Sequence, residues 1–417
     1  MKKLKTYLGF LLLIMLQSCS TADKTPESKK TQDLLMGSDQ LIRENLDLIR
    51  NKRLGIIANK ASVLSDGVLI IDTLLNIDGI NIQAVFSPEH GFSINTIAGE
   101  EVSDSARDGI PIYSLYGKTR KPTPEMLKNI DLLVFDLQDV GTRFYTYIST
   151  LHYVMEAAAE NNIPLVVLDR PNPIGGQVEG PVLLEEQKSF IGIAPLPVVH
   201  GMTAGEIAGL FSGEHWIGEK NISLKIIKMK NWERSRYFND YNLNWISPSP
   251  NIPDVKTAVV YPAAGFLEGT NISDGRGTKM PFKQIGAPFI LPQELIRLLD
   301  SLQHKGLSIN PVTFTPVNIP GMADNPKYIN EKCNGINLIV TSEKDFQPVE
   351  FGIKLLFSLY KLYPEKFNFD AGYFDNLTGD KEIREMLLMH KMPSEIEQYW
   401  QPGLNKFKQI RNKYLLY

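Results

Sequence analysis

Acidic side chains in two loops of this 417-residue chain stand where they could transfer protons. Glu89 follows Pro88 and precedes Gly91, so the backbone is restricted before it and free behind it, which suits a loop that orients one side chain. Glu100 follows in the segment AGEE. Glycoside hydrolysis needs two carboxyl groups, one to protonate the leaving oxygen and one to act as base or nucleophile. Glu89 and Glu100 predict such a pair, although Glu100 is equally compatible with a solvated loop charge.

Polar and charged residues also follow two later apolar segments. They are Asp136, Asp139 and Arg143 after the first segment, and Asp169, Arg170 and Asn172 after the second. Ligands of an open parallel sheet bind outside the carboxyl ends of its strands, so we expect these side chains to meet Glu89 at one rim. The aspartates together with His90 leave a metal-dependent hydrolase open as an alternative.

A long glycine-rich segment, 266–278, carries Glu268, Asn271 and Arg276. Loops of this length are usually functional or mobile. Arg276 lies between two glycines, and its guanidinium could bind an anionic substrate group through two parallel hydrogen bonds. The alternative interpretation is an ordinary surface loop.

Other familiar chemistries match poorly. Ile112 stands where a phosphate-binding loop ending in GKT would need a glycine, and Met280 replaces the third glycine of a dinucleotide fingerprint. The six histidines form no HExxH motif, and the nucleophile motif G-x-S-x-G is absent. A formal net charge of −3 provides no basic excess for a phosphate backbone. We therefore expect no cofactor and no nucleic-acid partner.

The pattern of apolar segments predicts the elements that must position these residues. Strands apolar on both faces are expected at 54–59, 80–86, 131–137 and 163–169, and helices at 67–77, 123–130, 145–162 and from Thr203 onward. This alternation indicates an α/β fold with a Rossmann-like parallel sheet over 38–250. The segment SPSPNIP breaks the pattern, and a smaller α+β auxiliary domain is predicted over 251–417, beginning with a strand near TAVVYPA.

The N-terminal segment reads as an export signal rather than as part of the fold. Residues 1–18 combine a basic start with a short apolar run and precede Cys19, as in a lipoprotein signal peptide; a plain secretory signal is the alternative. The polar stretch 19–37 predicts a flexible tether. We expect lipidation at Cys19 and a lipid-anchored protein of the cell envelope that faces the periplasm, since no acidic cluster follows Cys19.

Several blocks together carry a family resemblance. They are FSPEHGF, AGE, PIYSLYGKTRKPTPEML, DLLVFDLQDVGTRFYTYISTL, LDRPNPIGG, HGMTAGE, SPSPNIP, YPAAGFLEGTNISDGRGT and PFKQIGAP. The chain resembles the exo-β-N-acetylmuramidase family of the NamZ type. The resemblance implies a Rossmann-like domain, a smaller C-terminal domain and an active site in the cleft between them. It also implies a glycosidase that releases N-acetylmuramic acid from the non-reducing ends of peptidoglycan fragments.

The same resemblance assigns roles by motif position. Glu89 of the PEHG block would be the principal catalytic acid/base and Glu100 its partner. The residues expected to line the sugar site are His90, Asp136, Asp139, Arg143, Tyr145, Asp169, Arg170, Asn172, Glu268, Asn271 and Arg276. Muramic acid carries a lactyl carboxylate, for which Arg143, Arg170 and Arg276 are the candidate partners. A non-catalytic lipoprotein that binds peptidoglycan fragments remains the alternative from another class.

Overall fold

The structure is a computed structural model that describes residues 33–417. The predicted signal peptide, Cys19 and most of the predicted tether lie outside the described residues. The fold begins before the predicted boundary at 38, because Leu34 and Met36 are buried and Leu35 pairs with Lys230. None of the described helices is long and apolar enough to cross a membrane.

The described residues contain both strands and helices throughout. The strands are β1 (Arg53–Ile57), β2 (Asn81–Ser87), β3 (Ser105–Arg107), β4 (Ile110–Ser114), β5 (Leu132–Phe135), β6 (Leu165–Leu168), β7 (Glu179–Val182), β8 (Pro197–Val199), β9 (Leu224–Ile227), β10 (Gln284–Ala287), β11 (Leu307–Phe314) and β12 (Cys333–Val340). The helices are α1 (Gly37–Glu44), α2 (Ile70–Leu75), α3 (Pro124–Leu127), α4 (Tyr147–Glu160), α5 (Ala204–Gly213), α6 (Val255–Ala264), α7 (Pro292–Ser301), α8 (Pro348–Leu362), α9 (Ala371–Thr378), α10 (Lys381–Leu388) and α11 (Pro393–Arg411).

A seven-stranded sheet forms the centre of the N-terminal part. Its order is β3-β4-β2-β1-β5-β6-β9, and every pairing is parallel except that of β3 with β4. Strands β5 and β6 are buried along their whole length, as parallel strands covered on both faces must be. This confirms the predicted α/β class and the four predicted strands, and it brings the carboxyl ends of β2, β5 and β6 to one edge.

Local capping chemistry explains where two of the predicted helices begin. Thr123 accepts a hydrogen bond from the backbone of Met126 and starts α3. Thr203 and Glu206 form the reciprocal capping box that starts α5: Thr203 Oγ1 accepts from Glu206 N, and Glu206 Oε2 accepts from Thr203 N. Both starts are as the sequence predicts.

The C-terminal part contains a smaller antiparallel sheet, ordered β10-β12-β11, surrounded by helices. We call residues 33–250 the N-terminal lobe and 251–417 the C-terminal lobe, after the predicted domain boundary. The two lobes pack against each other and form one compact unit over residues 33–417. Arg143 of the first lobe, for example, donates a hydrogen bond to the carbonyl oxygen of Leu377 in the second.

The predicted strand at TAVVYPA is wrong, because this segment lies in helix α6. Nearly every residue of α6 is buried, so the segment has no polar face that would reveal a helical period. Its β-branched residues favour the prediction of a strand when only the sequence is considered. Asp254 caps the helix, since its Oδ1 accepts a hydrogen bond from the backbone N–H of Thr257 at 2.8 Å.

Candidate active site

A cavity of about 360 Å³ lies between the two lobes. The N-terminal lobe contributes Glu89, His90, Gly99, Tyr116, Tyr145 and Thr146 to its lining. The C-terminal lobe contributes Tyr261, Glu268, Asp274, Arg276, Lys327 and Tyr373. Carboxylates of both lobes therefore face the same cavity.

Glu89 is held by hydrogen bonds to both of its carboxylate oxygens. It follows the end of β2 and is 9% exposed. Oε2 accepts a hydrogen bond from Thr146 Oγ1 at 2.6 Å, and Oε1 accepts from the backbone N–H of Gly99 at 3.1 Å. Thr146 lies at the start of α4, so a strand end, a helix start and a loop together fix the orientation of this carboxylate.

His90, the next residue, is buried in a left-handed backbone conformation (φ 72°). Its Nδ1 lies 2.8 Å from the carbonyl oxygen of Thr96, so Nδ1 must carry the hydrogen and Nε2 is left as an acceptor in the neutral ring. Burial lowers the pKa of His90, which favours this neutral form.

Glu268 is the acidic residue of the C-terminal lobe around which a second charged cluster forms. Arg276 Nη2 lies 3.2 Å from Glu268 Oε1, and Arg276 Nη1 lies 2.5 Å from Asp274 Oδ2. The hydroxyl of Tyr373 donates to Glu268 Oε2 at 3.3 Å. Burial raises the pKa of Glu268 despite the opposing charge of Arg276. A buried carboxyl group with a raised pKa is suited to donating a proton.

The cavity lining also contains two phenol groups, Tyr116 and Tyr373, which are influenced by the charges of the carboxylates. Burial and the nearby negative charge of Glu89 raise the pKa of Tyr116. The charge of Glu268 and burial raise the pKa of Tyr373, to which Glu89 also contributes. Both phenols therefore remain neutral hydrogen-bonding groups at physiological pH.

Arg170 and Asp136 do not line the cavity but form a buried ion pair beside the sheet. Arg170 Nε donates to Asp136 Oδ1 at 2.6 Å, and Nη2 donates to Asp136 Oδ2 at 2.8 Å. Nη2 also donates to the carbonyl oxygen of Val63. The pair joins the ends of two neighbouring strands, and the structure gives it no contact with the proposed sugar site.

Asp169 and Arg143 are likewise occupied by structural contacts outside the cavity. Asp169 accepts hydrogen bonds from Thr203 Oγ1, Gly205 N and Tyr417 Oη, so it ties the start of α5 to the C-terminus. Burial raises the pKa of Asp169 to about 6. Arg143 donates to the carbonyl oxygens of Pro181, Leu196 and Leu377.

Four further predicted residues lie away from the cavity lining. Asp139 Oδ2 accepts from Gly141 N, Asn172 Nδ2 donates to Met202 O, and Asn271 Nδ2 donates to Lys366 O. Glu100 is exposed and does not line the cavity; the backbone of the neighbouring Gly99 contacts Glu89 instead. Of the predicted site residues, the structure brings together Glu89, His90, Tyr145, Glu268 and Arg276.

The aspartates that were expected at one rim therefore do not meet His90. Within residues 33–417 no three histidine, cysteine, aspartate or glutamate side chains cluster closely enough to hold a metal ion. The geometry gives no support to the metal-dependent alternative.

Sequence reasoning missed much of the lining, including Tyr116, Thr146, Tyr261, Asp274, Lys327 and Tyr373. Tyr116 lies inside a quoted family block and Thr146 directly follows Tyr145, so both were within reach of the motif argument. Lys327 and Tyr373 belong to segments without any motif, and only the packing of the C-terminal lobe brings them to the cavity.

The fold and the site together define a class: a two-lobed α/β protein in which buried carboxylates face an interlobe cavity, an arrangement suited to acid–base hydrolysis. The chain belongs to the exo-β-N-acetylmuramidase NamZ family. The family's N-terminal model matches residues 54–256, and its C-terminal model matches residues 259–417.

Full-length relatives support this membership. The chain is 44% identical to peptidoglycan β-N-acetylmuramidase NamZ of Bacillus subtilis (strain 168), over 99% of this chain and 100% of the relative. Two DUF1343 family proteins from Bacteroides fragilis with known crystal structures are each 34% identical in sequence to this chain. One has a TM-score of 0.84 and covers 92% of this chain and 99% of its own; the other has a TM-score of 0.74 and covers 93% and 99%.

Proposed function

We propose that this protein is an exo-acting glycoside hydrolase that releases N-acetylmuramic acid from the non-reducing ends of peptidoglycan fragments. The observation that carries the proposal is the interlobe cavity, in which Glu89 and Glu268 face the same space. The relative from Bacillus subtilis, which matches along its full length, bears the name of this activity. The cavity volume lies within the range for small-molecule ligand sites, about 300–1,000 Å³.

The two carboxyl groups divide the chemistry by their surroundings. Glu268, whose pKa burial raises, is suited to protonating the leaving glycosidic oxygen. Glu89, fixed by Thr146 and Gly99, is the principal catalytic carboxylate and acts on the sugar carbon or on an attacking water. His90 and the neutral phenols offer hydrogen bonds to sugar hydroxyls. Glu268 thus replaces Glu100 as the proposed partner of Glu89.

The test is hydrolysis of a chromogenic β-N-acetylmuramic acid glycoside by the purified full-length protein. We expect release of the chromophore, with free N-acetylmuramic acid as the sugar product, and the same rate after treatment with a strong chelator. Binding of peptidoglycan fragments without any release would contradict the proposal and indicate the non-catalytic binding protein. Loss of activity to the chelator would indicate the metal-dependent alternative.

Arg276 is the proposed partner of the lactyl carboxylate, since it alone of the three candidate arginines lines the cavity. For Arg276→Gln we expect kcat/KM on the muramic acid glycoside to fall by about 10- to 100-fold, which corresponds to about 1.5–3 kcal/mol for a hydrogen bond to a charged group. The matched measurement uses the β-N-acetylglucosamine glycoside, which lacks the lactyl group. An equal loss on both substrates would show that Arg276 acts through Glu268 instead.

We also propose that the protein is anchored in the cell envelope through lipid on Cys19 and faces the periplasm. The support is the pattern of residues 1–19 in the sequence, and the polar stretch that follows would let the folded body reach peptidoglycan. We expect the wild type in the membrane fraction and a Cys19→Ser variant to lose its acyl mass. Equal acylation of both forms would contradict the proposal.

A further inference from the structure

Lys327 lines the cavity, yet its ammonium group is committed to the protein backbone. It lies in the connection between β11 and β12, far in sequence from the segment it contacts. Its Nζ donates to the carbonyl oxygen of Leu267 at 2.6 Å and to those of Glu268 and Ile272 at 3.2 Å each. A lysine ammonium has three N–H donors. All three are therefore used, and none remains for a substrate.

The three carbonyl groups belong to the segment that carries the charged cluster. Glu268 lies in the short 3₁₀ turn Gly265–Gly269, and Asp274 and Arg276 follow Ile272 closely in the chain. The internal hydrogen bonds of a 3₁₀ turn have poorer geometry than those of an α-helix, so they hold the backbone less firmly. An ammonium group that joins both sides of Glu268 restricts the backbone at the point where the carboxyl group must be placed.

We propose that Lys327 is a positioning residue, which holds the segment 267–276 so that Glu268 and Arg276 face the substrate. The inference rests on the proposed function for its catalytic consequence. Its structural part, the restraint of this segment, stands on the three hydrogen bonds and is measured separately below.

The charge of Lys327 adds a second effect that a purely structural residue would not have. The charged and phenolic groups that face Glu268 are Arg276, Asp274, Lys327, Tyr261 and Tyr373. The positive charge of Lys327 favours the ionised form of Glu268 and so lowers its pKa. Removing that charge should raise the pKa of Glu268 further. The limb of the pH–rate profile that reports Glu268 then moves to higher pH.

The experiment compares Lys327→Met and Lys327→Arg with a matched lysine variant. Lys283→Met is the control, because Lys283 is mostly buried in the same lobe and pairs with Asp254 but does not line the cavity. Each full-length variant is assayed for kcat, KM and pH profile on the chromogenic muramic acid glycoside. Hydrogen exchange of the backbone amides in 265–276 is measured on the same samples, without substrate.

For Lys327→Met we expect kcat to fall by about 10- to 100-fold, the loss typical of a catalytic group displaced by about 1 Å. KM should change less, the pH limb should move upward, and amides in 265–276 should exchange faster than in wild type. Lys327→Arg keeps the charge and should recover part of kcat and the wild-type pH limb. Lys283→Met should leave the pH limb and the exchange of 265–276 unchanged.

Two results would overturn the inference. One is a folded Lys327→Met variant with wild-type kcat, pH profile and amide exchange. The other is a raised KM with unchanged kcat and exchange, which would make Lys327 a substrate ligand. If the wild type releases no sugar but Lys327→Met still accelerates exchange in 265–276, the proposed function fails while the restraint by Lys327 holds. If exchange in 265–276 is unchanged, the restraint fails whatever the activity.

Discussion

A Glu89→Gln variant is expected to lose about 10²- to 10⁴-fold in kcat on the muramic acid glycoside, the range that a positioned acid or base contributes. The amide keeps the shape of the side chain, and one of its atoms can still accept a hydrogen bond from Thr146 or Gly99. It cannot carry a proton to or from the reacting sugar. The loss therefore reports chemistry rather than misfolding, and the thermal unfolding midpoint of the variant should stay close to that of the wild type.

Two further glutamate variants distinguish the candidate partners of Glu89. Glu268→Gln should also lower kcat strongly, because Glu268 lines the cavity. Glu100→Gln should retain most of the activity, because Glu100 is exposed and lies outside the lining. Wild-type kcat in a folded Glu89→Gln protein would remove Glu89 from the mechanism. A strong loss in Glu100→Gln with full activity in Glu268→Gln would restore the pair indicated by the sequence.

Replacing Arg170 with methionine is expected to lower the free energy of unfolding by about 3–5 kcal/mol, the cost of removing one partner of a buried ion pair. Arg170 is 3% exposed and Asp136 fully buried, so the variant leaves an uncompensated carboxylate in the interior. Denaturant unfolding measures this change in the free energy of unfolding, provided that the dependence on denaturant concentration (the m-value) is the same in wild type and variant. The double variant Arg170→Met with Asp136→Leu should recover much of the loss, since no buried charge remains unpaired.

The matched control for this effect is Arg53→Met. Arg53 also pairs with an aspartate, Asp131, at 2.7 Å, but both side chains are more than 40% exposed. We expect almost no loss in the free energy of unfolding for such a surface pair, because solvent screens its charges. Equal losses in Arg170→Met and Arg53→Met would show that burial does not decide the strength of these pairs and would contradict the structural role given to Arg170.

Much of the fold follows from local sequence patterns. Strands covered on both faces must be apolar throughout, and the four segments predicted on that basis are β1, β2, β5 and β6. Helix capping is equally local, because the side chains of Thr203 and Glu206 each accept a hydrogen bond from the other residue's backbone N–H within one turn. The choice of Glu89 as a candidate also rested on local sequence. Pro88 restricts the backbone before it, and Gly91 allows the backbone after it more conformations.

Helix α6 marks where local patterns stop being informative. A segment buried on every side carries no polar face, so the sequence shows neither the period of a strand nor that of a helix. The outcome depends on what covers the segment, and that is decided by distant parts of the chain.

The partners of the charged residues were decided by tertiary structure alone. The sequence by itself determined that acids and arginines follow the strands, and it singled out Glu89. Whether such a side chain faces a cavity or a buried partner depends on residues far along the chain: Asp136 meets Arg170, Asp169 meets Tyr417, and Arg143 meets Leu377. Glu268 reaches the space in front of Glu89, and Lys327 reaches the backbone of Glu268, for the same reason. A buried charge must find a partner wherever packing supplies one, and packing joins residues that no local spacing connects.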